Sequence, residues 1–245
     1  MRIEAVTVCV HYSDFLAWTL AWNKHHFDNW IVVTDSKDEA TQRVCAYHHV
    51  RCIQTDAFYD NDQAFNKGAG INAGLNALKG DDWVAHIDAD IALPPRAREM
   101  FQQRAALDPT AIYGIDRIMC RGFEDWVNFI AAPELQHSDE VYVTSNAFPL
   151  GSRIAKTDND GYIPIGFFQM WNAKATGIRR YPMGHGTSAR ADMGFARQWA
   201  RQNRHLIPEV VGIHLESEPA ANGANWRGRQ TRPFRLAASA GPDVS

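Results

Sequence analysis

The chain has 245 residues, 45% of them hydrophobic and 22% charged, with a formal net charge of -3. That is the balance of an ordinary globular protein. Its length allows one large domain or a domain with a small appendage, and its charge exerts no overall pull on nucleic acid or membrane. No stretch approaches the roughly 20 apolar residues of a membrane span.

In chain order, Ala5–Val10 is a short apolar run that predicts the first strand. Asp14 is placed to cap a helix over Phe15–Trp22. Trp30–Thr34 predicts a second strand ending in Asp35, Ala40–His48 a helix and Val50–Ile53 a third strand. Ala69–Leu78 is a small-residue helix leading into Trp83–Pro94, an apolar strand that runs out into Asp88–Ala89–Asp90 and stops at Pro94–Pro95. This β-α-β-α-β-α-β rhythm with short connections implies a mostly parallel sheet flanked by helices. Pro94–Leu107 predicts a helix and Ala111–Tyr113 another strand. Beyond it the pattern is less regular. Gly161–Trp171 is too aromatic for a solvated loop and too broken for a long helix, Ala191–Gln202 reads as a helix, and Glu209–His214 reads as a strand. A small, polar tail from Ala237 onward is expected to fray.

The expected organisation is a single domain: residues 1–95 as a nucleotide-binding half, 96–236 as an acceptor half and 237–245 as a tail. The N-terminus enters a strand directly, without the layout of an export leader. Cys9, Cys45, Cys52 and Cys120 show neither metal-knuckle nor disulfide-framework spacing, and Cys9 and Cys45 sit in apolar runs as core thiols. A cytoplasmic location is expected.

Six constellations carry possible chemistry. Strand alternation puts Asp88 and Asp90 on one side of a strand's carboxyl end, where open α/β sheets bind ligands, and two carboxylates there suit a divalent cation holding a diphosphate. Asp35 ends an early strand and is either a partner for a base or ribose or an N-cap. In Asn66–Lys67–Gly68–Ala69–Gly70–Ile71–Asn72–Ala73–Gly74 the glycines imply close approach by a neighbouring strand or a ligand, with Lys67 available to a phosphate and Asn72 to a loop or ligand. His214 ends an apolar strand, and as a third ligand it would favour Mn²⁺ over Mg²⁺. The run Asn225–Trp226–Arg227–Gly228–Arg229, continuing to Arg232 and Arg235, suits an anion on a mobile loop, or a basic tail. Asp192, at the start of a helix with an apolar face of Phe195, Ala196 and Trp199, is either a dipole-favoured cap or a general base.

Taken in order, these pieces resemble a glycosyltransferase of the GT-A fold, family 2-like, over roughly residues 3–95. The resemblance extends to Gly166–Trp171, the Asp192 helix and His214. It implies that Tyr12 and Asp35 flank the base, Lys67 and Asn72 support the nucleotide, Asp88 faces ribose or sugar, Asp88, Asp90 and His214 form the metal site, and Asn225, Arg227 and Arg229 close over the diphosphate. The implied activity moves a sugar from a nucleotide-diphosphate sugar, a UDP-sugar by preference, to an acceptor hydroxyl with Mn²⁺ or Mg²⁺ as cofactor. The arginines and metal would neutralise the leaving group, and Asp192 would act as base in an inverting reaction. Many inverting members carry an adjacent acidic pair where this chain has Ala191–Asp192.

Two other classes compete. A nucleotidyltransferase would want a Gly-rich basic loop after the first strand, where this chain has His11–Tyr12–Ser13–Asp14. A non-catalytic nucleic-acid-binding module would use the arginine run, with Trp226 stacking on a base. Tyr162, Phe167, Phe168 and Trp171 suit an acceptor ring, so the acceptor is expected to be a saccharide or another hydroxyl-bearing molecule, with a modified DNA base as the minority possibility.

Overall fold

A computed structural model describes residues 1–105, 108–131, 155–157, 161–188, 190–218 and 225–236. The chain runs β1 (Ile3–Val8), α1 (Ser13–Asn23), β2 (Asn29–Thr34), α2 (Glu39–Tyr47), β3 (Arg51–Gln54), α3 (Lys67–Ala77), β4 (Trp83–Ile87), β5 (Ile91–Ala92), α4 (Ala97–Ala105), β6 (Ile112–Arg121) and α5 (Phe123–Ile130). It continues with β7 (Ala155–Thr157), β8 (Gly161–Ile163), β9 (Phe168–Asn172), α6 (Ala173–Thr176), α7 (Ala191–Ala196) and β10 (Arg204–Glu216). The tail from Ala237 lies outside the described residues, as does Leu107 at the end of the expected fourth helix.

The main sheet has 8 strands in the order β3-β2-β1-β4-β9-β6-β10-β5. The half from β3 to β4 is parallel, as the βα rhythm requires. β9 then lies antiparallel to both β4 and β6, β10 runs parallel to β6, and β5 runs antiparallel to β10. Because strand side chains alternate between faces, the continuous apolar runs feed two cores. Ile3, Ala5, Trp30, Val32, Trp83 and Ala85 pack with Leu16 and Leu20 of α1, Cys45 of α2 and Phe101 of α4. Val6, Val8, Ile31, Val33 and Val84 pack on the opposite face with Ile71 of α3 and Phe195 of α7.

Local details depart from the sequence reading. α1 begins at Ser13 after Tyr12, with no side-chain cap; Asp14 is drawn away by Arg229 and by the Phe234 N–H. The strand before the acids ends at Ile87, so Asp88 and Asp90 stand in a turn and β5 is a separate short strand. α7 stops at Ala196 instead of reaching Gln202, and β10 extends far beyond Glu209–His214, with a register shift between Ile207 and Val211 around Pro208. Proline has no N–H to give to the ladder there.

The glycines of α3 are explained by packing. A Cβ at Gly68 would stand 2.4 Å from the Pro182 carbonyl oxygen, at Gly70 2.1 Å from the Phe58 ring, and at Gly74 2.5 Å from Val6 Cγ1. The close approach is by protein, and α3 lies tightly on the sheet as a result. Asn66 caps this helix by accepting the Ala69 N–H at 3.0 Å.

Candidate active site

At the carboxyl ends of β1 and β4 lies a cavity of about 660 Å³. Open α/β sheets bind ligands at this edge. Tyr12, Lys67, Asp88, Asp90, Asp192, His214, Asn225 and Arg229 all line it, although they come from distant parts of the chain.

The acidic turn is held by the Asp88 N–H on the Phe167 carbonyl at 2.9 Å and the Ile91 N–H on the Asp88 carbonyl at 3.3 Å. Turn geometry, not strand alternation, brings both carboxylates to the cavity. Lys67 Nζ stands 2.5 Å from Asp88 Oδ1, and His86 Nε2 lies 3.5 Å from the same oxygen. His214 Nε2 lies 3.2 Å from Asp90 Oδ2. Burial and the neighbouring Asp90 charge hold the Asp88 carboxyl above its usual range, against the pull of Lys67. Burial acts the same way on Asp90, but His214, Lys67 and Arg117 outweigh it and hold that carboxyl below the usual range. Two such acids titrate as a pair. His86 is fully buried and, by burial and the Lys67 charge, held neutral.

Asp192 opens α7 and is oriented by two backbone donors, the Gly166 N–H to Oδ2 at 2.7 Å and the Met193 N–H to Oδ1 at 2.8 Å. A Cβ at position 166 would lie 2.7 Å from Asp192 Cβ, so glycine there admits the carboxylate. Tyr12 stacks on Phe15 with ring centroids 5.3 Å apart.

Other expected residues stand elsewhere or are otherwise engaged. Asn72 does not face the cavity: its amide donates to the Tyr181 carbonyl at 3.0 Å and accepts the Tyr181 N–H at 2.8 Å. It is a strut that pins one cavity wall. Asp35 accepts the Lys37 N–H at 2.7 Å and lines a separate depression with Asp56 and Asp60, which shares His11 and Tyr59 with the main cavity. The cap of α2 is Asp38, not Asp35. Arg229 lines the cavity, but its guanidinium is committed to both oxygens of Asp14 and to the carbonyls of His11, Thr231 and Arg232. Asn225 accepts the Gln230 N–H at 2.7 Å and so shapes the loop. Arg227 is exposed and outside the cavity lining, and Arg232 pairs with Glu218 at 3.5 Å. Of the aromatic patch, Phe168 and Trp171 are fully buried because β9 is a central strand covered on both faces, and only Phe167 lines the cavity. Within that patch, the stacking surface offered to the cavity is therefore Phe167 alone.

The structure adds His86 and Arg117 to the cavity. Each is a polar residue interrupting an apolar strand, His86 in Trp83–Ile87 and Arg117, beside Asp116, in Ile112–Arg121. That interruption was the available signal.

Among the described residues no three His, Cys, Asp or Glu side chains come together to hold a metal. Asp90 Oδ1 and His214 Nδ1 are nevertheless buried without hydrogen-bond partners, beside a wide cavity. One carboxylate and one imidazole suit a cation that takes its remaining ligands from phosphates and water. The donor set fits such an ion.

A sheet with a parallel nucleotide-side half, covered by helices on both faces and ending in an acid-lined cavity, is the GT-A architecture. The glycosyl transferase family 2 profile matches residues 14–175, and the chain belongs to that family. No curated protein matches the sequence. Among solved structures, S. aureus TarS 1–349 in complex with UDP-GlcNAc superposes with a TM-score of 0.59 at 13% identity, covering 90% of this chain and 60% of that one. A mycobacterial protein superposes at 0.52 with 16% identity, covering 91% and 70%. Glucosyl-3-phosphoglycerate synthase from Mycobacterium tuberculosis, in complex with Mn²⁺, UDP and phosphoglyceric acid, superposes at 0.50 with 13% identity, covering 89% and 72%. At such identities the likeness is one of fold, and the chain spans about 60% of the TarS structure. No helix among the described residues is long and apolar enough to cross a membrane.

Proposed function

We propose that the chain is a nucleotide-sugar-dependent glycosyltransferase that moves a sugar from a UDP-sugar to an acceptor hydroxyl with inversion. The observation that carries this reading is the meeting of Asp90, His214, Lys67 and Asp192 on one cavity at the strand ends. His11 and Tyr59 join this cavity to the depression that holds Asp35, which supports a base-binding role for that side. Asp90 and His214 would hold Mn²⁺ or Mg²⁺, with Asp88 alongside, and the ion when bound would neutralise charge on the departing diphosphate. Lys67 adds a positive charge on the nucleotide side. Asp192, fixed by the Gly166 and Met193 N–H groups, takes the proton of the acceptor hydroxyl. The acceptor oxygen bonds to the anomeric carbon as the bond to the diphosphate oxygen breaks, and UDP leaves with the electron pair. A reducing compartment such as the cytoplasm fits the four free thiols.

The test is UDP binding by calorimetry with and without Mn²⁺, for wild type and Asp90→Ala, followed by turnover of a UDP-sugar by Asp192→Asn. The expected result is Mn²⁺-enhanced binding that Asp90→Ala abolishes. Asp192→Asn should keep the binding and lose on the order of 100-fold or more in turnover. A folded protein that binds no nucleotide under either condition would overturn the proposal. Undiminished turnover by Asp192→Asn would remove that residue as base.

A further inference from the structure

One buried polar side chain stands behind the cavity wall without lining it. Gln169 lies on β9, a central strand, between the apolar residues Phe168 and Met170, and it is fully buried. Its cross-strand neighbour on β4 is His86, the other polar interruption of an apolar strand on this face. Burying an amide is costly unless its polar atoms find partners, and an apolar side chain of similar size carries no such cost. Here both ends of the amide are used. Nε2 donates to the Pro164 carbonyl at 2.7 Å and to the Asp192 carbonyl at 3.1 Å, and Oε1 accepts the Tyr181 hydroxyl.

The two carbonyls lie on either side of the Asp192 carboxylate. Pro164 opens a turn over residues 164–168, closed by the Phe168 N–H on the Ile165 carbonyl at 3.3 Å. Within that turn Gly166 gives its N–H to Asp192 Oδ2 at 2.7 Å, and Phe167 accepts the Asp88 N–H at 2.9 Å. Gln169 therefore holds the main chain of Asp192 and also the turn that grips its side chain, and the same turn carries the acids that follow β4. Tyr181 orients the amide in its turn. Its ring lies flat on Phe195, one turn further along the helix that Asp192 opens, with centroids 3.8 Å apart and planes at 11°. Its backbone is pinned by Asn72 of α3. Burial above all, then the charges of Asp192 and Asp88, hold the Tyr181 hydroxyl well above its usual range, so it stays a donor. Such a network is rigid because every member is satisfied by another.

We propose that Gln169 is a positioning residue for the base: with Tyr181 it fixes the Asp192 carboxylate relative to the acid-bearing turn without itself meeting substrate. This inference rests on the reading of Asp192 as base, while the contact it predicts is measurable without that reading. A reacting group displaced by about 1 Å can lose on the order of 100-fold in rate. The partners of Gln169 are Pro164, Asp192 and Tyr181, not Asp90, His214 or Lys67, so its loss should fall on kcat and spare the nucleotide.

The experiment compares wild type, Gln169→Met, Asp192→Asn and the double variant. Methionine keeps the length of the side chain and removes its donors and its acceptor. Calorimetry with Mn²⁺ gives UDP affinity, and UDP release from UDP-GlcNAc and UDP-glucose, with glycerol as the acceptor hydroxyl, gives kcat and KM. With isotope-labelled glycine, the Gly166 amide resonance reports its bond to Asp192. Gln169→Met should lower kcat on the order of 10–100-fold, with donor KM and UDP affinity within about threefold of wild type. On the Asp192→Asn background the same substitution should cost less than about threefold, because the group it positions is gone, whereas general damage to the fold would multiply on both backgrounds. The Gly166 resonance should move when Asp192 is replaced in otherwise wild-type protein, and should not respond on the Gln169→Met background. Tyr181→Phe keeps the ring and loses the hydroxyl; it should lower kcat several-fold and serves if Gln169→Met does not fold. A folded Gln169→Met with kcat within about threefold of wild type, or a loss that falls equally on UDP affinity, would overturn the proposal. So would a loss undiminished on the Asp192→Asn background, or a Gly166 resonance that still answers to Asp192 as in wild type. A wild type that binds no UDP would sink the donor reading, and a Gly166 response lost with Gln169 would leave the positioning contact standing.

Discussion

Replacing Arg229 by Met should destabilise the protein in the absence of any ligand. The guanidinium makes a two-pronged contact with Asp14, with Nη2 to Oδ2 at 2.8 Å, and donates to the carbonyls of His11 at 2.9 Å, Arg232 at 2.6 Å and Thr231 at 3.2 Å. It also lies over Tyr12 and Phe15 at 4.8 Å and 5.1 Å. The two side chains are 13% and 24% exposed. Removing one partner of a fully buried pair costs about 3–5 kcal/mol, and partial solvent screening reduces this to about 2–3 kcal/mol. For a domain of this size that corresponds to a fall of roughly 4–12 °C in Tm. Urea unfolding of wild type, Asp14→Asn, Arg229→Met and the double variant should give a coupling energy of about 1 kcal/mol or more. An apo stability within about 0.5 kcal/mol of wild type for Arg229→Met, with the loss confined to UDP affinity, would refute the reasoning and return Arg229 to the diphosphate.

Three further outcomes are expected. Burial above all holds His26 neutral, with its pKa lowered to about 3, while the unfolded chain takes up that proton near 6.5. The stability this contributes is present above pH 6.5 and is lost as pH falls, at up to about 1.4 kcal/mol per unit, so urea midpoints at pH 7.5 and 5.5 should differ more for wild type than for His26→Phe. Gly74→Ala gains about 1 kcal/mol in helix propensity but drives a Cβ to 2.5 Å from Val6 and 3.0 Å from Val33, so unfolding should show a net loss of about 1–2 kcal/mol; a gain would mean α3 packs more loosely than the structure has it. Asn72→Ala strands the buried Tyr181 N–H and carbonyl, and should lower stability by about 2 kcal/mol; an unchanged midpoint would reopen Asn72 as a ligand group.

The parallel half of the fold was legible because its strands are continuous apolar runs and its helices carry caps and turns at short range, as with Asn66 before α3. Asp88, Asp90 and Lys67 were legible for the same reason, since a strand-end acid pair and a Lys at a helix start are local patterns. Arg229 and Asn72 were read as ligand groups because residue type and order say nothing about which partner is nearer. Asp14, 215 positions from Arg229, and Tyr181, 109 positions from Asn72, meet them only after the sheet has closed.

From its own pattern, then, the chain determines where the strands of its parallel half lie and which strand end carries the acids, because propensity, alternation and capping act between residues close in sequence. Only the tertiary structure decided that β9 inserts antiparallel beside β4, that Arg229 is taken up by Asp14, and that the α3 glycines meet Val6, Phe58 and the chain at Pro182. Those outcomes depend on competition among partners brought together by long-range pairing, and the winner is set by distance and burial, which no local pattern encodes.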